Sequence, residues 1–271
     1  MKNMFSISGK SAVITGAGGV ICSTLAKDMA AQGAKVALLD LSLANAQAAA
    51  DAIIAEGGEA IAIETNVLER DSIEKAALKV KDAFGRIDIL INGAGGNHPK
   101  ASTSPEQSFF DLPGEAIQWV FDLNFLGTVL PTQIFGKFMA DQGDGSIVNI
   151  ASMASYRPLT KTIAYSASKA AIVNYTQWMS VHFCQEFSPN IRVNAIAPGF
   201  LLTQQNRFLM QREDGELTPR GNSVIANTPM SRFGQPGELS GAVIYLCSEA
   251  ASFITGVVLP IDGGFNAFSG V

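Results

Sequence analysis

The sequence has 271 residues, 47% of them apolar, which is enough to bury one large core, and an α/β sheet of this size is expected to fold as a single domain, 1–271. A formal net charge of -5, with no stretch that concentrates Lys and Arg, speaks against nucleic acid and membrane surfaces as partners. Cys22, Cys184 and Cys247 are too few and too far apart for a disulfide framework and suit the cytoplasm, and two histidines leave a His/Cys metal site short of ligands, so no metal is expected.

Along the chain, short β-branched runs alternate with longer Ala-rich segments. The first strand is expected at 12–15 and leads into Thr15, Gly16, Ala17, Gly18, Gly19, Val20, Ile21 and Cys22, then a helical run through Ala31. Glycines in such a turn let backbone N–H groups close on a pyrophosphate, and the helix behind offers its positive end, although an ordinary tight turn reads similarly. The second strand, 35–39, is followed by Asp40. A carboxylate there accepts from ribose hydroxyls and repels a 2′-phosphate, and no Arg or Lys stands at 17, 18, 41 or 42, so NAD is expected in preference to NADP; a helix N-cap is the other use of Asp40.

A helix at 43–56, a strand at 59–64, a helix at 71–84 and a strand at 87–91 follow. Beyond that fourth strand, Asn97 and His98 stand in a polar run suited to binding sugar hydroxyls. The apolar stretch 119–138 is interrupted by Asp122, Asn124, Gln133 and Lys137, which argues against a membrane span. An amide such as Asn124 needs partners when buried, and it is read as holding a lysine through water.

The fifth strand, 146–150, leads to Ser152, and Arg157 and Lys161 beyond it are suited to a carboxylate. In the helix expected at 163–187, Tyr165 and Lys169 are four residues apart and share a face. The ammonium is expected to lower the phenol from its ordinary pKa of about 10, while Ser152 steadies a substrate oxygen. A Tyr-x-x-x-Lys spacing alone usually marks solvent-facing neighbours; here it opens a helix behind a strand that ends near Ser152, in a chain with a dinucleotide turn. After a strand at 191–197, the irregular segment 199–237, with Gln204, Asn206 and Arg207, is a candidate substrate lid or else a disordered insertion. A last strand at 257–261 precedes an apolar tail, 263–271, that a monomer would expose. The alternation implies right-handed crossovers and a Rossmann-like, three-layer, doubly wound parallel α/β sheet of seven strands.

These residues resemble the short-chain dehydrogenase/reductase family over essentially the whole length. Its Thr-Gly-x-x-x-Gly-x-Gly turn falls on Thr15 and Gly16, its Asn-Asn-Ala-Gly element on Asn92, Gly93, Ala94 and Gly95, its Pro-Gly on Pro198 and Gly199, and its Asp-Gly-Gly on Asp262, Gly263 and Gly264. The pattern departs where Val20 and Cys22 replace two glycines of the turn, Gly93 replaces the second Asn, and Asn66 replaces the acid of the adenine pocket. The resemblance implies a nicotinamide-dependent oxidoreductase with Asn124, Ser152, Tyr165 and Lys169 as the catalytic set. It implies a cofactor site of Gly16, Gly18, Val20, Ile21, Asp40 and Leu41, with Asn66, Val67, Asn92 and Ala94 beside them. Tyr165, Lys169, Pro198, Gly199 and Thr203 would complete it.

The expected substrate residues are Asn97, His98, Ser152, Arg157, Lys161 and Arg207. Collectively they suggest a polyhydroxy acid, and with the 198–209 segment they resemble the branch acting on sugar acids of the mannonate and fructuronate type. Alternatives are a dehydrogenase of another small polyol or hydroxy compound, of gluconate or 3-oxoacyl type, or a dinucleotide-binding regulator without turnover. Family members are often tetramers joined through long helices and the last strand, so a homotetramer is expected.

Overall fold

The computed structural model describes residues 3–203 and 206–270, so the expected lid residue Gln204 lies outside the described residues. Seven strands, β1 (Ser11–Thr15), β2 (Lys35–Asp40), β3 (Glu59–Glu64), β4 (Ile89–Asn92), β5 (Gly145–Ile150), β6 (Ile191–Pro198) and β7 (Val258–Ile261), form one parallel sheet ordered β3-β2-β1-β4-β5-β6-β7. Between them run α1 (Val20–Ala31), α2 (Leu43–Ala55), α3 (Arg70–Phe84), α4 (Gly114–Phe121), α5 (Gly127–Gln142) and α6 (Ile163–Glu186). Between β6 and β7 lie α7 (Arg207–Met210), α8 (Pro219–Ala226) and α9 (Ser240–Cys247). The result is a single Rossmann-like domain. No helix among the described residues is long and apolar enough to cross a membrane.

Alternation along each strand sorts the core into two layers. Val13, Leu39, Leu90 and Ile147 pack with residues of α3, α5 and α6, among them Ile73, Phe135 and Phe183. Ile14, Leu38, Ile89 and Val148 pack with residues of α1, α2 and α9, among them Leu25, Ile53 and Leu246. Each large aliphatic or aromatic side chain fully withdrawn from water contributes about 1.5–3 kcal/mol. Together they fix the sheet against which the site is measured.

Strand ends differ from the expected runs by no more than two residues, the largest shift being the start of β4. Asp88, expected inside that strand, instead closes its entrance: its carboxylate accepts the Ser11 N–H at 2.9 Å. The described residues of the segment 199–237 are folded rather than an unstructured insertion. Its ends are tied by Leu202 N to Gly234 O and Gly234 N to Phe200 O, both 3.0 Å, and Met210, Val224 and Phe233 form a small core of their own. The tail also departs from expectation. Phe265 packs on Phe200 with ring centroids 5.3 Å apart, and the Asp262 carboxylate accepts the Gly264 and Asn266 N–H groups, so the chain covers part of the tail itself. Val271 lies outside the described residues.

From β1 the chain builds outward to β3, returns through α3 to β4 on the other side of β1, and then proceeds to β7. That reversal leaves a crevice beyond the carboxyl ends of β1 and β4, where open α/β sheets hold ligands. Two departures from the family pattern meet here. A Cβ on Gly93 would stand 2.1 Å from the Cys22 sulfur and 2.9 Å from the Thr15 carbonyl oxygen. Cys22 and Gly93 are therefore one compensated exchange, a larger residue on α1 facing a missing side chain after β4. Gly93→Asn is expected to destabilise the fold by about 1–3 kcal/mol through overpacking. Denaturant unfolding of both single variants and the Cys22→Gly/Gly93→Asn double variant should show the double to be more stable than additivity gives, by about 1 kcal/mol. Strict additivity would show that the two positions do not share this space.

Candidate active site

The Thr15 hydroxyl accepts the N–H groups of Gly93 at 3.1 Å and Ala94 at 3.2 Å, clipping the turn after β1 to the loop after β4. Gly16 follows at φ 65°, and a Cβ on it would lie 2.8 Å from Ala94 backbone atoms, so both the conformation and the approach require glycine. α1 begins with Gly19 as a cap that offers no side-chain acceptor, and its first turn carries no acidic residue. Gly19, Val20 and Ile21 border a cleft of about 720 Å³. An uncapped, positive helix end facing that space fits a pyrophosphate.

At the tip of β2 the Asp40 carboxylate accepts the N–H of Gly18 and that of Ser42, each at 2.9 Å. Ser42, rather than Asp40, caps α2 by accepting the Asn45 N–H. Gly18 accordingly braces Asp40 instead of bordering the cleft; a Cβ there would lie 3.0 Å from the carboxylate. Asp40 itself borders the cleft beside Leu41.

At the other end, Ser152 follows β5 and opens a short turn by accepting the Ala154 N–H at 3.1 Å. It borders the cleft together with Tyr165, which lies in the first turn of α6. Lys169, one turn further on and 5% exposed, donates from Nζ to the Ile150 carbonyl at 2.7 Å and stands 5.7 Å from the Tyr165 ring centroid.

The electrostatics correct one expectation. In the protein alone Tyr165 is not acidified: burial pushes the phenol above its ordinary value, and the hydrogen bond with Ser152 draws it only partly back. Burial also lowers Lys169 to about 8, opposed by the Cys22 sulfur, whose thiol burial pushes up to about 12. Withdrawing the phenolate from water outweighs what Ser152 contributes.

Asn124 is fully buried in a π-helical turn (Asp122–Leu126) between α4 and α5. Its Nδ2 donates to the Gly96 and Val120 carbonyls, both at 2.7 Å, and its Oδ1 accepts the Gly96 N–H at 3.2 Å. A Cβ on Gly95 would stand 2.7 Å from Asn124 Oδ1 and 3.3 Å from Lys169 Nζ, so glycine lets the two side chains flank the loop. The π-turn gives Asn124 a direct hold on the loop after β4.

All the expected cofactor residues border the cleft except Gly18 and Asn92. Asn92 is buried and ties layers together, donating from Nδ2 to Thr132 Oγ1 at 2.9 Å and Asn149 Oδ1 at 2.8 Å. Of the expected substrate residues, Asn97 and Ser152 border the cleft, whereas His98, Arg157, Lys161 and Arg207 do not. His98 accepts the Lys100 N–H through Nδ1 and packs edge-on against Trp119, with centroids 5.4 Å apart. Arg157 and Arg207 are exposed on the outer surface. Lys161, held at φ 72°, borders a separate cavity of about 450 Å³ with Thr103 and Phe109. Asn206 reaches the cleft but is engaged in holding its own loop: Oδ1 accepts the Thr203 N–H and Nδ2 donates to the Leu201 carbonyl, both at 2.8 Å. Arg220, which carries no motif, borders the cleft. The pair Thr218 and Pro219, a cap followed by proline at the first helical position, was the signal that could have placed it.

Residues 16–266 match the sequence family described as enoyl-(acyl carrier protein) reductase. The chain is 47% identical to the uncharacterized oxidoreductase UxuB of Bacillus subtilis, covering 98% of each chain. It is 37% identical to an NAD-dependent glycerol dehydrogenase of Listeria innocua, covering 97% of this chain and 96% of that one. Among solved structures, it is similar to a proposed D-mannonate oxidoreductase from Haemophilus influenza crystallised with NAD bound, with a TM-score of 0.93 and 49% identity over 98% of each chain. With the parallel sheet and its crevice, these likenesses establish that the chain belongs to the short-chain dehydrogenase/reductase family of NAD(P)-dependent oxidoreductases.

Proposed function

We propose that the enzyme interconverts a secondary alcohol and a ketone on a sugar acid of the mannonate/fructuronate type, using NAD(H). The observation that carries this reading is that Ser152, Tyr165 and Lys169, the lysine 5.7 Å from the tyrosine ring centroid, border the same cleft as the uncapped end of α1. The sugar-acid part rests on the similarity to the proposed D-mannonate oxidoreductase and on the polar groups at the Ser152 end of the cleft.

Bound NAD supplies a hydride acceptor, and NADH a hydride donor, at the nicotinamide ring. The α1 N-terminus and the Gly16 turn would hold the pyrophosphate, Asp40 the adenosine ribose, and Lys169 the nicotinamide ribose. Tyr165 would take the substrate hydroxyl proton at its phenolic oxygen in the oxidising direction and return a proton to the ketone oxygen in the reducing one. Ser152 donates to that oxygen and limits the charge it accumulates. Asn124 acts at one remove, fixing the Gly95 and Gly96 backbone beside Lys169. The 199–237 segment would serve as the substrate lid. Free thiols at Cys22, Cys184 and Cys247 suit a cytoplasmic protein. A homotetramer would cover Trp178 and Val181, exposed on α6, and the sheet edge at β7.

Tyr165→Phe is expected to lower kcat by about 10²–10⁴-fold while leaving NADH binding within threefold, as read by stopped-flow turnover and fluorescence titration. Retained turnover would remove Tyr165 from the proton path. A turnover screen across hexonates, ketouronates, polyols and hydroxysteroids should favour the acids, and a steroid preference would overturn the substrate reading. Asp40→Ser is expected to narrow the NAD-to-NADP ratio of kcat/KM by about 10-fold or more, since it removes an acceptor and a repelling charge. An unchanged ratio would show that Asp40 only braces its turn. Light scattering should give four times the 28.5 kDa chain mass, and a monomer would contradict the tetramer.

A further inference from the structure

We propose that Arg220 is the specificity-determining residue that binds the substrate's carboxylate; this rests on the sugar-acid reading of the same cleft.

The cleft has three described charged side chains on its border: Asp40, Lys169 and Arg220. Asp40 ends β2, which lies three strands away from β5 in the sheet, and it is engaged with the Gly18 and Ser42 amides. Lys169 is engaged with the Ile150 carbonyl beneath Tyr165. Arg220, on the exposed rim of the cleft, belongs to the segment that follows β6, the neighbour of β5 in the sheet, whereas Asp40 ends β2 on the other side of β1. Its guanidinium has no hydrogen bond or ion pair among the described residues. The nearby carboxylates of the segment, Glu213, Asp214 and Glu216, are exposed between α7 and α8, and none borders the cleft.

Its backbone is held in place even though its side chain has no partner among the described residues. Thr218 donates from N to the Met210 carbonyl at 3.0 Å and from Oγ1 to the Leu209 carbonyl at 2.7 Å. A Cβ on Gly221 would lie 2.1 Å from the Met210 carbonyl oxygen, so glycine alone lets α8 lie this close to α7, whose Leu209 and Met210 also border the cleft. Arg220 is thus anchored on both sides by backbone contacts.

The charge is also placed against local preference. Arg220 occupies the first turn of α8, where the helix already presents positive charge and a cation is unfavourable. An anion entering the cleft would relieve both the helix end and the guanidinium, and the planar fork of arginine matches a carboxylate with two parallel hydrogen bonds. The polar neighbours do not compete for this task. Asn206 spends its amide on the loop, and Asn97 donates from Nδ2 to Ser102 Oγ at 2.9 Å, leaving its oxygen for a sugar hydroxyl.

The test is titration of the full-length enzyme–NADH complex with D-mannonate and with the neutral hexitol D-mannitol, for the parent, Arg220→Lys and Arg220→Met. Arg220→Met is expected to weaken D-mannonate binding by about 10- to 100-fold relative to its effect on D-mannitol, with Arg220→Lys between, because lysine keeps the charge and loses the fork. Equal D-mannonate binding by Arg220→Met and the parent overturns the inference while leaving the sugar-acid reading in place. A matching loss of NADH affinity also overturns it, since the guanidinium would then serve the cofactor's phosphates. A parent complex that does not bind D-mannonate overturns the sugar-acid reading and this inference with it.

Discussion

The Thr15 hydroxyl, accepting two amides from the loop after β4, sits where the chain stops building one half of the sheet and begins the other. This clip holds the turns after β1 and β4 close enough that Gly16 and Gly93 have no room for side chains. Everything that borders the cleft takes its position from that closure. The α1 N-terminus is aimed over it from one side, and the Asn124 amide fixes the continuation of the β4 loop from the other.

Burial is the second constraint, and it acts on the chemistry directly. Tyr165 and Lys169 are both withdrawn from water, so each is pushed toward its neutral form, the phenol upward and the amine down to about 8. At neutral pH an amine at about 8 still keeps its proton, so the site holds a protonated phenol beside a cationic lysine. Ser152 offsets only part of what burial does to the phenol, so a positive charge arriving beside Tyr165 has a shift left to reverse.

Much of this was legible in the residues. Short β-branched runs alternating with Ala-rich segments, and the glycine-rich turn after β1, led to the sheet and its crevice, because a buried parallel strand leaves little freedom in what its residues must be. The Tyr165 and Lys169 spacing translated into one helix face, since helix geometry is the same everywhere. What the sequence did not carry was set by tertiary contacts. The braced state of Asp40, the inward Asn92 and the π-turn around Asn124 depend on neighbours far along the chain. Among the expected cations, Arg157, Lys161 and Arg207 failed to reach the cleft while Arg220 did, because loop composition says what a residue can bind and not where its loop folds.

The most direct test is a near-ultraviolet pH titration of the Tyr165 phenol, isolated as the difference between the parent and the Tyr165→Phe protein, with and without saturating NAD. Burial in the enzyme alone should hold the phenol above the ordinary tyrosine value, and the positive nicotinamide ring should bring it down. A phenol that titrates at its ordinary value in the enzyme alone, or is indifferent to NAD, would contradict a desolvated proton-exchange site at the cofactor's reactive end.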